Sequence, residues 1–336
     1  MESRRRTAAD LDRDYGGVMT GTVSGCGLMD GVLVVKKEAG WTSHDVVAKV
    51  RHLLGGTKVG HAGTLDPAAT GLLPLLIGKG TRIAEYLLEW DKEYRAVVRL
   101  GETTDTQDAT GTVVDRQAPD LVTQAAIREA VARFHGVIEQ VPPMYSAVKV
   151  AGVPLYKSAR AGKTIAREAR MVVIHELEIV AIDGRDITLR VVCSKGTYIR
   201  TLCADIGAAL GVGAHLLSLE RSRVGPLTLD RALTIDELVI HQTFGRLGDN
   251  LLSLDQVLED LPVLVVDQQT ASRACHGVPV PLSKIVQRKP AQEKAQNSPG
   301  KPVRLHDDGG RLLAIGRLPH EGAETIAIEK VLIGQE

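Results

Sequence analysis

The stretch GHAGTLDPAATGLLPLLI, residues 60–77, places a glycine-rich loop directly before an apolar run. His61 and Asp66 lie five positions apart in the loop, among glycines that let the backbone approach a ligand closely. Such a loop can present a carboxylate on a shaped surface. Taken alone, however, Asp66-Pro67 is a common turn dipeptide, and a turn without chemistry is the simpler interpretation.

The residues before this loop predict a strand followed by a helix. Val32–Val35 is short, apolar and β-branched, as expected of a buried strand. Thr42, with Asp45 three positions later, matches a capping box, and apolar residues at helical spacing follow as far as Leu54. The glycine pair at 55–56 ends the predicted helix.

After the loop, strands and helices continue without a regular repeat. Pro74 predicts an irregular or edge position for the apolar run that contains it. Alternating side chains predict further strands, and helical spacing predicts further helices, one of which starts at a cap on Asp120. These elements cover residues 81–88, 94–100, 120–134, 187–193 and 201–210. The arrangement favours an α+β fold, a mixed sheet flanked by helices, over repeated βαβ units.

Composition divides the chain into three parts. Residues 1–29 are rich in glycine and balanced charge without periodicity, which predicts a mobile tail. Residues 30–256 hold the elements described above. Residues 257–336 change to short strands with Gly and Pro turns, which predicts a small β-rich domain. Within it, residues 283–302 are lysine-rich and are expected to form an irregular loop, with RNA contact as the alternative.

Composition also excludes several classes of protein. The 336 residues are 44% hydrophobic and 24% charged, which fits one large or two unequal globular domains. Four scattered cysteines without a C-x-x-C pair argue against a zinc site or a disulfide framework. No apolar run reaches the ~18 residues of a membrane span, and no signal peptide is evident, so a cytoplasmic protein is expected. The net charge is zero, so binding of nucleic acid would depend on local basic patches.

Two further motifs carry side chains suited to a site. CSKGTYIR, residues 193–200, would place Tyr198 and Arg200 on one side if it is extended, and a planar guanidinium matches a carboxylate. DKEYRA, residues 91–96, begins a strand with Tyr94 on its apolar face. In isolation, a surface arginine and a core tyrosine are the simpler interpretations.

Together, the three motifs resemble those of the bacterial tRNA pseudouridine-55 synthases, the TruB family. GHAGTLDPAATGLLP is similar to the family's catalytic motif, DKEYRAVVRLG to its tyrosine motif and CSKGTYIRTL to its arginine motif. VPPMYSAVKVAGVPLYKSARAG and the REAR of residues 167–170 match at corresponding places. The resemblance covers roughly residues 30–256, and the shared order and spacing of several long motifs make chance agreement implausible.

The resemblance implies a reaction and roles for the motif residues. The chain would isomerise a uridine in the T-loop of tRNA, with no cofactor and no metal. Asp66 would be the catalytic carboxylate, kept ionised by Arg200, and Tyr94 would stack on the target base and assist the final proton abstraction. Tyr198 would pack against the base or its sugar, and His61 would fill the gap left by the extruded nucleotide. Whether Asp66 acts on the uracil ring or at the sugar stays open.

The resemblance also implies a fold and a set of RNA contacts. The fold would be a largely antiparallel central sheet flanked by helices, with a small domain similar to the PUA-type RNA-binding barrel at the C-terminus. Residues 149–170 contain six basic residues and one acid, an excess suited to a phosphate backbone. The expected RNA contacts beyond the base are Lys37, Thr64, Lys149, Arg160 and Arg167. The role of Lys37 is open, because Glu38 stands where the family has proline.

Three functions are compatible with these motifs. The first is a tRNA-modifying isomerase, the second an RNA-folding module with secondary catalysis, and the third a relative directed by a guide RNA. The intact set of Asp66, Tyr94 and Arg200 favours the enzyme. The lack of evident docking extensions argues against a guide RNA. The expected partner is therefore the T-stem-loop of tRNA, bound by a monomer without a membrane association.

Overall fold

The computed structural model describes residues 29–146, 148–150, 152–163, 165–289 and 299–333. The described strands are β1 (Gly31–Lys37), β2 (Val59–His61), β3 (Thr70–Ile77), β4 (Lys92–Leu100), β5 (Glu102–Thr104), β6 (Val113–Arg116), β7 (Gly136–Gln140), β8 (Lys149–Val150), β9 (Val153–Pro154), β10 (Arg170–Asp183), β11 (Asp186–Cys193), β12 (Ala214–Val224), β13 (Leu227–Thr228), β14 (Leu251–Leu252), β15 (Val263–Val266), β16 (Val280–Pro281), β17 (Ile285–Lys289), β18 (Pro302–His306), β19 (Leu312–Arg317) and β20 (Thr325–Val331). The described helices are α1 (Ser43–Leu53), α2 (Ala84–Glu89), α3 (Gln124–Ala132), α4 (Leu155–Arg160), α5 (Ile199–Ala209), α6 (Ile235–Thr243), α7 (Leu254–Val257) and α8 (Gln268–Ala274). None of these helices is long and apolar enough to cross a membrane.

Ten strands form one mixed sheet, in the order β14-β1-β3-β12-β4-β11-β10-β7, with β2 on β3 and β13 on β12. Its pairs are antiparallel except for β12 and β3, which run parallel. The predicted α+β fold with a largely antiparallel sheet is confirmed. The register places Arg221 of β12 between Tyr94 of β4 and Gly71 of β3, so residues from distant motifs meet at the centre of the sheet.

Helix α1 forms where the sequence predicted it. The Thr42 hydroxyl accepts from the Asp45 amide, and the Asp45 carboxylate accepts from the Thr42 amide, which completes the capping box. Gly55, at φ 61°, lets the chain leave the helix in the left-handed region. The apolar face buries Val46 and Val50 against β1 and β3, so α1 covers one half of the sheet and brings its N-terminus beside the glycine-rich loop.

The other half of the sheet is covered by α3 and α5. Ile127 of α3 and Leu202 of α5 belong to a second apolar core that includes alternate residues of β4 and β11. Tyr94 and Leu219 pack against both this core and the one beneath α1. They therefore mark the junction between the two halves of the sheet, and the motif residues lie around this junction.

A β-rich C-terminal domain is present, as predicted. Six strands form a separate sheet in the order β16-β20-β19-β18-β15-β17, with an apolar core of its own. Ile315 and Leu332 of this domain pack instead with apolar residues of β1 and β3. In addition, the Tyr86 hydroxyl of α2 donates to Glu329 at 3.0 Å. The second sheet is thus packed against the first through both apolar and polar contacts.

Pro74 occupies a regular strand rather than an irregular or edge position. It pairs with Val34 across β1 and β3, and its carbonyl accepts from the Ala62 amide on the opposite side. The nitrogen and carbonyl of one strand residue point the same way, so the missing N–H faces away from β1. The proline therefore removes no hydrogen bond from the β1–β3 ladder.

Three other local predictions are corrected. Helix α3 begins after Thr123, whose hydroxyl accepts from the Ala126 amide, and not after Asp120. The arginine motif is not extended, because α5 already begins at Ile199 and Tyr198 is its N-cap. Within the lysine-rich segment, residues 285–289 form strand β17, whose backbone pairs antiparallel with β15. Residues 1–28 and 290–298, and the predictions made for them, lie outside the described residues.

Candidate active site

The loop between β2 and β3 is fixed on both sides of Asp66. Ser43, at the start of α1, accepts from the Leu65 amide at 2.9 Å and donates to the Leu65 carbonyl at 3.1 Å. The Pro67 carbonyl accepts from the Gly40 amide at 2.8 Å and from Lys37 Nζ at 3.3 Å. Leu65 is therefore bound to the start of α1, and Pro67 to the turn that follows β1. These hydrogen bonds restrict the backbone on both sides of Asp66.

Lys37 provides one of these attachments from a fully buried position. Its Nζ also donates to the carbonyls of Glu38 at 2.9 Å and Trp41 at 2.8 Å, so three acceptors match the three donors of an ammonium group. Burial lowers the pKa of Lys37 to about 8, against the opposing influence of Asp66. Glu38 contributes only its carbonyl to this arrangement. A proline would also supply a carbonyl, so the substitution leaves the lysine contacts intact.

Arg221 supports the loop from below. Its side chain is 1% exposed; Nε donates to the Leu72 carbonyl at 2.8 Å and Nη2 to the Gly63 carbonyl at 3.0 Å. Gly71 has φ +103°, and a Cβ atom there would lie 2.3 Å from the Arg221 carbonyl oxygen. Glycine is therefore required where β3 meets β12. No motif used in the sequence analysis contained Arg221, and only the strand register reveals its place.

Arg200 holds the Asp66 carboxylate side-on. Asp66 Oδ2 lies 3.0 Å from Arg200 Nε, and Nη2 donates to Asp66 Oδ1 at 3.4 Å. The guanidinium also donates to the carbonyls of Tyr145 at 2.8 Å and Thr106 at 3.3 Å. The Arg200 side chain is 6% exposed whereas that of Asp66 is 40% exposed. The predicted ion pair is thus present, with a fixed cation beneath and a carboxylate open to a ligand above.

Asp108 is a second carboxylate near Arg200 that the sequence analysis did not select. Its Oδ2 lies 3.8 Å from Arg200 Nε. Its Oδ1 accepts from the Thr106 hydroxyl, the Thr110 amide and the Thr110 hydroxyl. One oxygen is therefore occupied by neutral donors while the other faces the guanidinium. The sequence signal was weak: two aspartates stand among the five threonines of residues 103–112.

The surroundings change the acidity of Asp66 in a direction that the sequence did not predict. Burial raises the pKa of Asp66, and the nearby Asp108 adds to this effect. Arg200 and Lys37 oppose it without reversing it. The ion pair therefore orients the carboxylate, while the protein around it makes the carboxylate easier to protonate than an ordinary aspartate.

Tyr94 lies beside Arg221, its partner across β4 and β12. Burial raises the pKa of Tyr94, with the Arg221 guanidinium working against that shift and Asp66 adding to it. The phenol is therefore neutral near pH 7. The charge of Asp66 acts on Tyr94, and Tyr94 packs against both apolar cores at the junction where the motif residues meet.

His61 lies at the edge of the loop against His44 of α1. The ring centroids are 5.6 Å apart at an interplanar angle of 81°, an edge-to-face contact. Burial lowers the pKa of His61, and His44 and Arg221 act in the same direction. The ring is therefore a neutral aromatic surface. Its Nδ1 is buried and has no hydrogen-bond partner among the described residues.

The remaining predicted site residues differ in their surroundings. Tyr198 is half-buried, and Gln140 binds its backbone by accepting from the amide at 3.0 Å and donating to the carbonyl at 3.3 Å. Thr64 is exposed on the loop. Arg167 donates to the Pro142 carbonyl at 3.1 Å, so its guanidinium is partly engaged within the protein. The side chains of Lys149 and Arg160 lie outside the described part of the structure.

Two family models match successive parts of the chain. Residues 51–199 match the TruB family pseudouridylate synthase N-terminal domain, and residues 200–265 match the tRNA pseudouridylate synthase B C-terminal domain. A tRNA pseudouridine synthase B from Burkholderia mallei (strain NCTC 10247) is 46% identical over 289 residues, which are 86% of this chain and 93% of the relative. The chain belongs to the TruB family. The boundary between the two matched TruB domains falls inside the first turn of α5, so it does not separate the two sheets.

Other relatives extend the comparison. The tRNA pseudouridine synthase B of Ectopseudomonas mendocina (strain ymp) is 43% identical over 88% of this chain and 93% of its own length. Among solved structures, a Cbf5-Nop10-Gar1 complex contains a chain with a TM-score of 0.71 and 30% identity, covering 91% of this chain and 86% of that chain. The archaeal box H/ACA sRNP Nop10-Cbf5 complex contains one with a TM-score of 0.70 and 28% identity, covering 91% and 87%.

Proposed function

We propose that this TruB-family chain is a tRNA pseudouridine-55 synthase that isomerises the uridine at position 55 of the T-loop. The observation that carries the proposal is the Asp66–Arg200 pair, a half-exposed carboxylate held side-on by a buried guanidinium. Relatives named tRNA pseudouridine synthase B are 43–46% identical to this chain over 86–88% of its length, which supports tRNA as the substrate.

The reaction breaks the bond between C1′ of the ribose and N1 of uracil, and forms one between C1′ and C5. The base rotates between these steps, and the C5 proton leaves at the end. Asp66 supplies the carboxylate that acts at the flipped nucleotide, either on the uracil ring or at the sugar. Arg200 fixes the direction of that carboxylate, and its own contacts with two backbone carbonyls keep it in place through the reaction.

Tyr94 forms the platform for the flipped base. The phenol is neutral in the free protein, which suits stacking, and its position beside Arg221 provides a cation that would stabilise a phenolate during removal of the C5 proton. Tyr198 bounds the base or its sugar from the N-terminus of α5. Tyr198 lies two residues before Arg200 at the N-terminus of α5, and Tyr94 pairs with Arg221 across β4 and β12. These positions would keep the base next to Asp66.

Extruding the uridine leaves a gap in the T-loop, and His61 fills it. A neutral, half-buried imidazole can stack on bases, and the edge-to-face contact with His44 supports its ring. The basic residues between 149 and 170, with Lys149, Arg160 and Arg167 among them, contact the phosphate backbone beside the exposed Thr64. Buried Lys37 acts through the catalytic loop rather than by touching RNA.

The proposal extends to the role of the C-terminal domain, the oligomeric state and the cellular location. The C-terminal sheet acts as a PUA-like RNA-binding domain, the chain works as a monomer in the cytoplasm, and it uses no cofactor. Identity to the tRNA-acting relatives exceeds that to proteins solved in H/ACA ribonucleoproteins, which supports action on free tRNA. Separation by size with light scattering, with and without tRNA, tests the monomer.

One assay tests the function. Purified chain alone is incubated with an unmodified tRNA transcript carrying tritium at C5 of uracil, and with the same transcript in which U55 is replaced by cytidine. We expect tritium release from the first transcript and none from the second. Equal release from both would contradict the assignment of position 55. Tight binding without release would favour an RNA-folding module.

A further inference from the structure

Gln107 has a backbone conformation that glutamine rarely adopts. Its φ is 64°, and it is the one non-glycine residue with positive φ among the described residues. A Cβ atom crowds the backbone in this region, so glycine is the usual occupant. A glutamine in this conformation carries a strain cost, which contacts with the surrounding structure must offset.

Three contacts hold Gln107 in this conformation. Its amide donates to the Thr104 carbonyl at 3.1 Å, and its carbonyl accepts from the Leu216 amide of β12 at 3.0 Å. Its side-chain Oε1 accepts from the Thr201 hydroxyl at 3.1 Å. Thr201 directly follows Arg200 in α5 and is 3% exposed. The side chain thus links the loop to the helix turn that carries the catalytic-site arginine.

The two neighbours of Gln107 both contact Arg200. The Thr106 carbonyl accepts from Nη1 at 3.3 Å, and Asp108 Oδ2 lies 3.8 Å from Nε. Because Gln107 turns the chain in the left-handed sense, the residues before and after it can face the same guanidinium. The loop over residues 104–112 therefore contacts the Arg200 guanidinium at Nη1 and at Nε, the nitrogen that also holds Asp66.

We propose that Gln107 is a positioning residue, which acts through Arg200 to set the direction of the Asp66 carboxylate. The inference rests on the proposed function, because it assigns Gln107 a share in that same reaction. The link from Gln107 to Thr201 fixes the distance between the loop and α5. Without this hydrogen bond, the Thr106 carbonyl and the Asp108 carboxylate would shift relative to the Arg200 guanidinium.

Replacement by glycine separates this role from a purely conformational one. Gln107→Gly permits the left-handed backbone without strain and removes only the side-chain link. If Gln107 serves only as a turn residue, the variant is as active as the wild type and at least as stable. If it positions Arg200, the variant keeps its thermal midpoint but its single-turnover rate of pseudouridine formation falls, on the order of 10-fold.

The experiment compares Gln107→Gly, Thr201→Val, Thr201→Ser and the double variant Gln107→Gly/Thr201→Val by single-turnover rate, tRNA Kd and thermal midpoint. Gln117→Ala, at an exposed glutamine beyond β6, is the matched control. For Gln107→Gly and Thr201→Val we expect a reduced rate and a tRNA Kd within twofold of the wild type. Thr201→Ser should keep the wild-type rate. The double variant should be no slower than the slower of the two single variants. A wild-type rate in Gln107→Gly, a loss that follows Kd, or additive losses would overturn the inference.

A second measurement keeps the inference testable without turnover. The 15N and 1H resonances of the Arg200 Nε–H group report on its contact with Asp66. We expect Gln107→Gly to shift them and Gln117→Ala to leave them in place; unmoved resonances in Gln107→Gly would overturn the inference. A wild type without tRNA activity would instead contradict the proposed function, and the resonances would still decide the role of Gln107.

Discussion

Asp66 and Arg200 are 134 positions apart in sequence, and the guanidinium lies side-on to the carboxylate, with Nε 3.0 Å from Oδ2. The arginine is almost fully buried and the aspartate is half-exposed, so the pair has a fixed side and a reactive side. Two backbone carbonyls and Asp108 complete the surroundings of the arginine. This geometry leads to predictions about the residues that hold the pair.

Asp108 is expected to affect both the rate and its pH dependence. Asp66 must be ionised to act, and its pKa is raised, so activity falls as the pH drops through a value above that of an ordinary aspartate. Asp108 contributes to that rise. Asp108→Asn therefore moves the acid limb of the single-turnover rate to lower pH, while the maximal rate falls on the order of 10-fold because Arg200 loses a partner. Asp115→Asn, at an exposed carboxylate of β6, is the control. An acid limb that stays in place in Asp108→Asn would refute the assignment of that limb to Asp66.

Substitution of Lys37 is expected to reduce stability as well as activity. Lys37→Met removes the donor to the buried Trp41 carbonyl and to the part-buried Glu38 carbonyl, which costs about 2 kcal/mol of unfolding free energy. The midpoint of urea unfolding measures this cost. Lys36→Met, at the exposed neighbouring position, should change the unfolding free energy by less than about 0.5 kcal/mol. Equal midpoints for Lys37→Met and the wild type would show that the buried contacts do not stabilise the fold.

His61 is expected to matter only when the substrate is folded. His61→Ala removes a stacking surface worth on the order of 1–3 kcal/mol, so kcat/KM on intact tRNA falls about 10-fold. A short single-stranded RNA with the same target sequence has no T-loop gap to fill, so its rate should change much less. His61→Phe should retain most of the activity on tRNA, and His52→Ala, at an exposed site of α1, serves as control. Unchanged kinetics of His61→Ala on intact tRNA would exclude the stacking role.

The local parts of the fold could be predicted from sequence because short-range patterns determine them. The capping box at Thr42, the strand from Tyr94 and the glycine stop at Gly55 each depend on residues within a few positions. Helix α3 begins at a cap on Thr123 rather than on the predicted Asp120. Both residues offer a side-chain oxygen as the acceptor, so the local sequence alone does not distinguish them.

Only those site residues that lie within the sequence motifs could be predicted. Asp66, Arg200 and Tyr94 lie in long motifs, and the structure brings them together. Arg221 and Asp108 stayed unnoticed, because their importance comes from strand register and loop closure rather than from neighbouring residues. The raised pKa of Asp66 was also beyond prediction, since it results from burial by parts of the chain that are distant in sequence.

The most direct test of the central claim is tritium release from tRNA labelled at uracil C5, measured for the wild type and for Asp66→Asn. The substitution keeps the size of the side chain and removes the carboxylate, and the loop contacts at Leu65 and Pro67 remain. We predict that Asp66→Asn binds tRNA with a Kd close to that of the wild type and releases no tritium above background. Release at the wild-type rate by a correctly folded Asp66→Asn would contradict the role of Asp66 and the mechanism built on it.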